Sequence, residues 1–105
     1  MRIQPTIKVA VVQAASVLFD AAASVAKACR LTQEAAAAGA QLVLFPEAFV
    51  PAYPRGFSFG MVVGSRHPDG RLLWQRYWEN SVDVPGPLTE QLGQAAQEAG
   101  VHLAI

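Results

Sequence analysis

Cysteine is nearly missing from this chain: Cys29 is the only one in 105 residues. A single thiol closes no internal disulfide and builds no cysteine-rich zinc cluster, so nothing points to an oxidising compartment and a cytoplasmic location is expected. Charge is scarce as well. Charged side chains make up 15% of the sequence, against roughly 25% in an average soluble protein, which excludes a disordered polyampholyte. Eight basic and eight acidic residues cancel, and the Lys and Arg residues are spread from Arg2 to Arg76 without clustering. No basic field remains to neutralise phosphates, so nucleic acid is not an expected partner. No apolar run approaches the roughly 18 residues of a membrane span, and Met1 to Pro5 opens no signal-peptide pattern, so no membrane partner is expected either. The chain also lacks G-x-x-x-x-G-K and G-x-G-x-x-G, which leaves phosphate cradles and dinucleotide sites unsupported.

What the sequence has in quantity is apolar residues, 52% of the total, enough for the packed core of about one domain. Their arrangement repeats a unit of strand, helix, glycine and strand. Ile7 to Val12, IKVAVV, is a β-branched run suited to a strand buried on both faces. Asp20 is a candidate N-cap for the helix that follows. There Ala22, Val25, Cys29, Thr32 and Ala36 share one face, and Lys27, Arg30 and Glu34 another. Gly39 stands where the helix should stop, and Leu42-Val43-Leu44-Phe45 then forms a second strand that Pro46 ends. The second copy begins at Pro87, an accepted first helical position, with Leu88, Leu92, Ala95, Ala96 and Ala99 facing inward. Gly100 precedes a strand over Val101 to Ile105. Parallel pairing of these strands is expected, which puts the Phe45-Pro46-Glu47 turn at a carboxyl end of the sheet.

Pro46 to Pro87 carries most of the chain's seven prolines and reads as a long irregular stretch with one helix, Leu72 to Asn80. Leu73 and Tyr77, and Trp74 and Trp78, pair at i, i+4, giving a wide aromatic face to be buried or to meet a partner. A loop of this length inside a compact domain is usually functional. At the other end, Val101 to Ile105 stops inside an apparent core strand with no turn, cap or polar tail. Residues 1–105 are therefore expected to be an incomplete portion of a longer α/β enzyme.

Glu47 is the sharpest chemical candidate. It directly follows a buried strand, between Pro46 and Ala48-Phe49, with no Lys or Arg within five residues on either side. Desolvation there would disfavour the carboxylate and poise the group as a general base. A glutamate in the first turn before a helix N-terminus fits the same spacing, and the residues leave both readings open. Cys29, mid-helix among Ala and Val, reads as packing rather than a nucleophile. Lys8 lies inside the first strand, and Lys27 on a solvated face. His67-Pro68-Asp69-Gly70 offers an H-x-D, but Pro-Asp-Gly is first a turn signal, so no metal site is expected. His102, in an apolar strand, is expected as a core histidine, and Arg55 as a turn or interface residue.

The run from Gly39 to Gly60, with Leu42-Val43-Leu44-Phe45-Pro46-Glu47-Ala48-Phe49 at its centre, resembles the catalytic-glutamate signature of the nitrilase superfamily of carbon–nitrogen hydrolases. Val9 to Ala14 resembles that family's first strand, and Val84-Pro85-Gly86-Pro87 the approach to its next helix, so the likeness covers essentially the whole chain. Tyr53 to Gly60, YPRGFSFG, is closer to true nitrilases than to the amidase or carbamoylase branches. One departure is Pro51-Ala52, where such nitrilases often carry Gly-Gly or Pro-Gly. The resemblance implies the N-terminal part of an αββα sandwich and an enzyme needing neither metal nor organic cofactor. It implies Glu47 as general base beside a lysine and a nucleophilic cysteine further along the chain, and Tyr53 near the substrate pocket. The implied substrate is a small nitrile or amide, hydrolysed through a cysteine thioimidate in a homo-oligomeric full-length enzyme. The 105 residues alone would then be inactive. The alternatives are an amidase or a cyanide or nitrile hydratase of the same superfamily, or a truncated non-catalytic binding module.

Overall fold

Three short parallel strands and two helices form the body of the protein in a computed structural model, which describes residues 3–62 and 64–105. The strands are β1 (Val9–Val11), β2 (Leu42–Leu44) and β5 (His102–Ala104), in the order β1-β2-β5, so β2 is central. Val9, Leu42 and His102 lie in one cross-strand row; Ala10, Val43 and Leu103 in the next; and Val11, Leu44 and Ala104 in the third. Helix α1 (Ala21–Ala37) connects β1 to β2, and helix α3 (Pro87–Ala99) leads into β5. Both connections step across the sheet in the same direction, so right-handed crossovers leave both helices on one face, and α1 packs against α3. The expected α/β architecture with parallel strands is therefore present.

The core lies between that helix layer and the sheet. Val25 and Ala28 of α1, Leu92 of α3 and Val43 of β2 meet there, joined by Phe45, Phe49 and Val50 from the chain just beyond β2. Burial alternates along the strands: Val43 is fully buried, whereas Leu44 is 43% and Val11 68% exposed. The expectation that the first strand is buried on both faces is thus corrected, because helices cover only one side of a period-2 surface. His102 is corrected with them. It shares the outward row of Val9 and Leu42 and is exposed rather than held in the core.

Helix α1 starts where Asp20 accepts a hydrogen bond from the Ala23 N–H at 2.9 Å. Its buried stripe is Ala21, Ser24, Val25, Ala28 and Thr32. This is rotated from the expected face: Ala22 is exposed, and Cys29 and Ala36 are half-buried. Ser24 joins the buried stripe, while Val25 and Thr32 lie in it as expected. Thr32 donates to the Ala28 carbonyl at 2.8 Å and Ser24 to the Val17 carbonyl at 3.0 Å, so both can be buried without an unpaired polar atom. At its end, the Gly39 N–H bonds the Ala36 carbonyl (2.9 Å) and the Ala40 N–H the Ala35 carbonyl (3.0 Å), with Gly39 at φ 97°. Helix α3 ends the same way at Gly100, φ 68°, with Val101 N–H bonded to Ala96 (3.1 Å). The paired bonds and the left-handed glycine are the Schellman arrangement, used here at the end of both helices.

The long connection from β2 to α3 holds more structure than its sequence announces. A two-stranded antiparallel hairpin, β3 (Met61–Val62) with β4 (Ser65–Arg66), precedes helix α2 (Gly70–Glu79). Phe59 sits against Trp74 (ring centroids 5.3 Å) and Tyr77 (5.7 Å). Asn80 ties the end of α2 to the start of α1 by accepting from the Ala21 N–H at 3.0 Å, and the Arg76 guanidinium lies 4.2 Å from the Phe19 ring centroid. The broad aromatic face is split: Leu73 and Tyr77 are half-buried, while Trp78 is 70% exposed. No helix among the described residues is long and apolar enough to cross a membrane.

Candidate active site

The site is built at the carboxyl end of the central strand. Leu44 accepts from the Val12 N–H, and Phe45 donates to the Ala104 carbonyl, each at 2.8 Å, so β2 is bonded to both neighbours up to its last residue. Pro46 has no N–H and ends the ladder. The chain then turns through Glu47 to Pro51. Phe45 and Phe49 are both buried, their rings 5.1 Å apart, while Glu47 between them is exposed. Two core anchors, one before and one after, therefore clamp a single outward-facing carboxylate. Ala48 makes the tight reversal possible at φ 54°, a region that alanine rarely adopts. The carbonyl of Phe49 accepts from the Ser16 hydroxyl, which reaches it from the loop between β1 and α1.

Exposure of Glu47 corrects one expectation. The apolar neighbours in sequence do not desolvate the carboxylate, because Phe45, Phe49 and Val50 all turn inward to the core. Tyr53 lies six residues further on the same loop and is 61% exposed. Glu47 and Tyr53 thus share a loop at one end of the sheet, and the described residues bury neither.

The other candidates lie elsewhere. Lys8 donates its ammonium to the Ala38 carbonyl at the end of α1, where a cation also complements the helix dipole. Lys27 is half-buried rather than solvated and bonds the Ala15 carbonyl at 2.7 Å. Cys29 faces α3, with its sulfur 3.8 Å from the Gln91 carbonyl. Burial, and after it the charge of Glu98, push its thiol pKa up, the opposite of what a nucleophile needs. His67 and Asp69 face each other at 3.5 Å on the exposed turn before α2. Among the described residues, no group of three His, Cys, Asp or Glu side chains is placed to hold a metal ion. Gly56-Phe57-Ser58-Phe59-Gly60 carries the letters of the serine-hydrolase G-x-S-x-G, but it lies in irregular chain before a hairpin. The strand-to-helix elbow that would expose a nucleophile is not formed there. An open groove of about 1260 Å³ between the hairpin and α2, lined by Met61, Arg66, His67 and Trp74, includes neither Glu47 nor Tyr53.

With this geometry in place, the sequence profile of the carbon-nitrogen hydrolases matches residues 8–105. The chain belongs to the carbon-nitrogen hydrolase family. Within it the relatives are nitrilases. The chain is 44% identical over 101 residues to a bifunctional nitrilase/nitrile hydratase of Nicotiana tabacum, which covers 96% of this chain and 29% of that protein. It is 48% identical over 98 residues to an aliphatic nitrilase of Sinorhizobium fredii, covering 93% and 32% respectively. It is 44% identical over 100 residues to nitrilase 3 of Arabidopsis thaliana, covering 95% and 29%. This carbon-nitrogen hydrolase chain thus spans about a third of the length of the curated relatives it matches.

Two features of the site escape a reading of the sequence. The hydrogen bond from Ser16 joins residues 33 apart and leaves no local pattern. The left-handed alanines at 48 and 52 stand where glycine would have signalled the turn.

Proposed function

We propose that the complete protein carrying this sequence is a nitrilase, converting an organic nitrile to a carboxylic acid and ammonia. The observation that carries the proposal is Glu47, the one carboxylate presented at the carboxyl end of the central strand and clamped between buried Phe45 and Phe49. Kinship with nitrilases supplies the reaction class. In this reading Glu47 takes the proton of a cysteine thiol as sulfur adds to the nitrile carbon, giving a thioimidate. A lysine stabilises the negative charge that develops on nitrogen. Addition of water and loss of ammonia leave a thioester, and a second water releases the acid and regenerates the thiol. The lysine and cysteine come from outside residues 1–105, so this chain by itself turns nothing over. Their arrival is also what would cover Glu47 and provide the desolvation that the 105 residues do not. Tyr53 would line the pocket on the same side, its ring packing on the nitrile substituent. The reading includes a cytoplasmic homo-oligomer without cofactor, with the exposed Trp74 and Trp78 of α2 available for a subunit contact.

Replacing Glu47 with Gln in the full-length enzyme tests the assignment, because the amide has the same shape but cannot accept the proton. Turnover of a nitrile panel is expected to fall by about 10²–10⁴-fold with the fold intact. Near-normal turnover would remove Glu47 from the mechanism. The product separates the neighbouring readings: acid supports a nitrilase and amide a hydratase, while a full-length protein that acts only on amides is an amidase.

A further inference from the structure

The Phe49 ring fixes one end of the Glu47 turn, yet a ring in the core does not set the direction of the peptide plane beside it. That direction is set by the Phe49 carbonyl, which accepts from the Ser16 hydroxyl and, at 3.3 Å, from the Ala52 N–H. Ser16 is itself held. Its neighbour Val17 is gripped at both backbone groups by the fully buried hydroxyl of Ser24, which accepts from the Val17 N–H at 2.9 Å and donates to its carbonyl at 3.0 Å. Ser24 stands on α1, whose start is fixed by the Asp20 cap. A continuous path therefore runs from a rigid helix through two serines to the peptide that follows Phe49, one residue beyond Ala48. Ala48 at φ 54° is held against its own conformational preference, and without a tether at Phe49 the turn is free to relax and re-aim Glu47.

We propose that Ser16 is a positioning residue for Glu47, its hydroxyl locking the turn so that the carboxylate leaves the sheet in one direction. The proposal rests on the reading of Glu47 as general base. The test is steady-state kinetics of the full-length enzyme with Ser16 changed to Ala, Val and Thr, and Glu47→Gln run alongside. Val and Thr are nearly isosteric and differ in the hydroxyl, so their comparison isolates the hydrogen bond. With kcat taken per folded molecule, read by near-ultraviolet circular dichroism, a variant that folds poorly still reports. Ser16→Ala and Ser16→Val are expected to lower kcat by about ten- to a hundredfold with KM within about twofold, and Ser16→Thr to recover most of the loss. A residue that merely supports the fold would change the folded fraction and leave turnover per folded molecule alone. If Glu47→Gln is inactive while Ser16→Val turns over normally, or if Thr is as slow as Val, the base assignment stands and the Ser16 proposal falls. If Glu47→Gln turns over normally, both fall.

Discussion

Two alanines in left-handed backbone follow Glu47 in its loop: Ala48 at φ 54° and Ala52 at φ 70°. A side chain with a Cβ in this region costs about 1–2 kcal/mol, which glycine avoids while adding roughly 0.5–1 kcal/mol of unfolded-state entropy. The two terms oppose each other and the steric one is larger. Ala52→Gly is therefore expected to stabilise the full-length protein by about 0.5–1 kcal/mol, seen as a raised denaturation midpoint. A lowered midpoint would mean that the Ala52 methyl makes a packing contribution larger than its backbone cost.

At the scale of elements, the hairpin and α2 hinge on two glycines. A Cβ on Gly60 would stand 2.3 Å from the His67 carbonyl oxygen, and one on Gly70 would stand 2.0 Å from that of Phe59. Gly70 opens α2, where alanine is favoured over glycine by about 1 kcal/mol on intrinsic propensity. The obstacle is backbone, however, and cannot swing aside as the end of a side chain would. Gly70→Ala is expected to destabilise by about 1–3 kcal/mol, lowering the thermal midpoint although propensity points the other way. An unchanged or raised midpoint would show that the hairpin is not packed on the start of α2. These elements also mark how far the sequence could be read. Helices α1 and α3 were legible because alanine-rich periodicity and a closing glycine coincide, and β2 because Leu42 to Phe45 is apolar without a break. The hairpin was not, since two-residue strands around Gly64 carry no period. The buried face of α1 was read one position out, although Val25 and Thr32 were placed correctly, because Ser24 counts as polar until its partners at Val17 are known. Glu47 was legible as a lone carboxylate at a strand end; its exposure was not, because inward-turning Phe45 and Phe49 look in sequence like a pocket around it.

For the whole molecule, the accessible surface is 7606 Å², where a self-contained protein of this mass would expose about 5,700 Å². The radius of gyration is 17.1 Å, against about 13 Å for a compact domain of 100 residues. Val9, Val11 and Leu44 on the outer face of the sheet are among the exposed large hydrophobics. In the αββα sandwich implied by the family, a second sheet would lie on that face. The same substitutions should then act oppositely in two settings. Expressed alone, the 105-residue chain is expected to bind a hydrophobic dye and to self-associate, and Val11→Lys with Leu44→Lys should reduce both by breaking up the patch. In the full-length protein the two ammonium groups would be trapped between layers without partners, and the folded state should be lost or its thermal midpoint should drop sharply. A full-length double variant with an unchanged midpoint would show that the outer face stays in water there, and the sandwich reading would have to be given up. Loss of dye binding by the isolated chain together with collapse of the full-length variant would identify the outer face as the seam along which the rest of the enzyme closes.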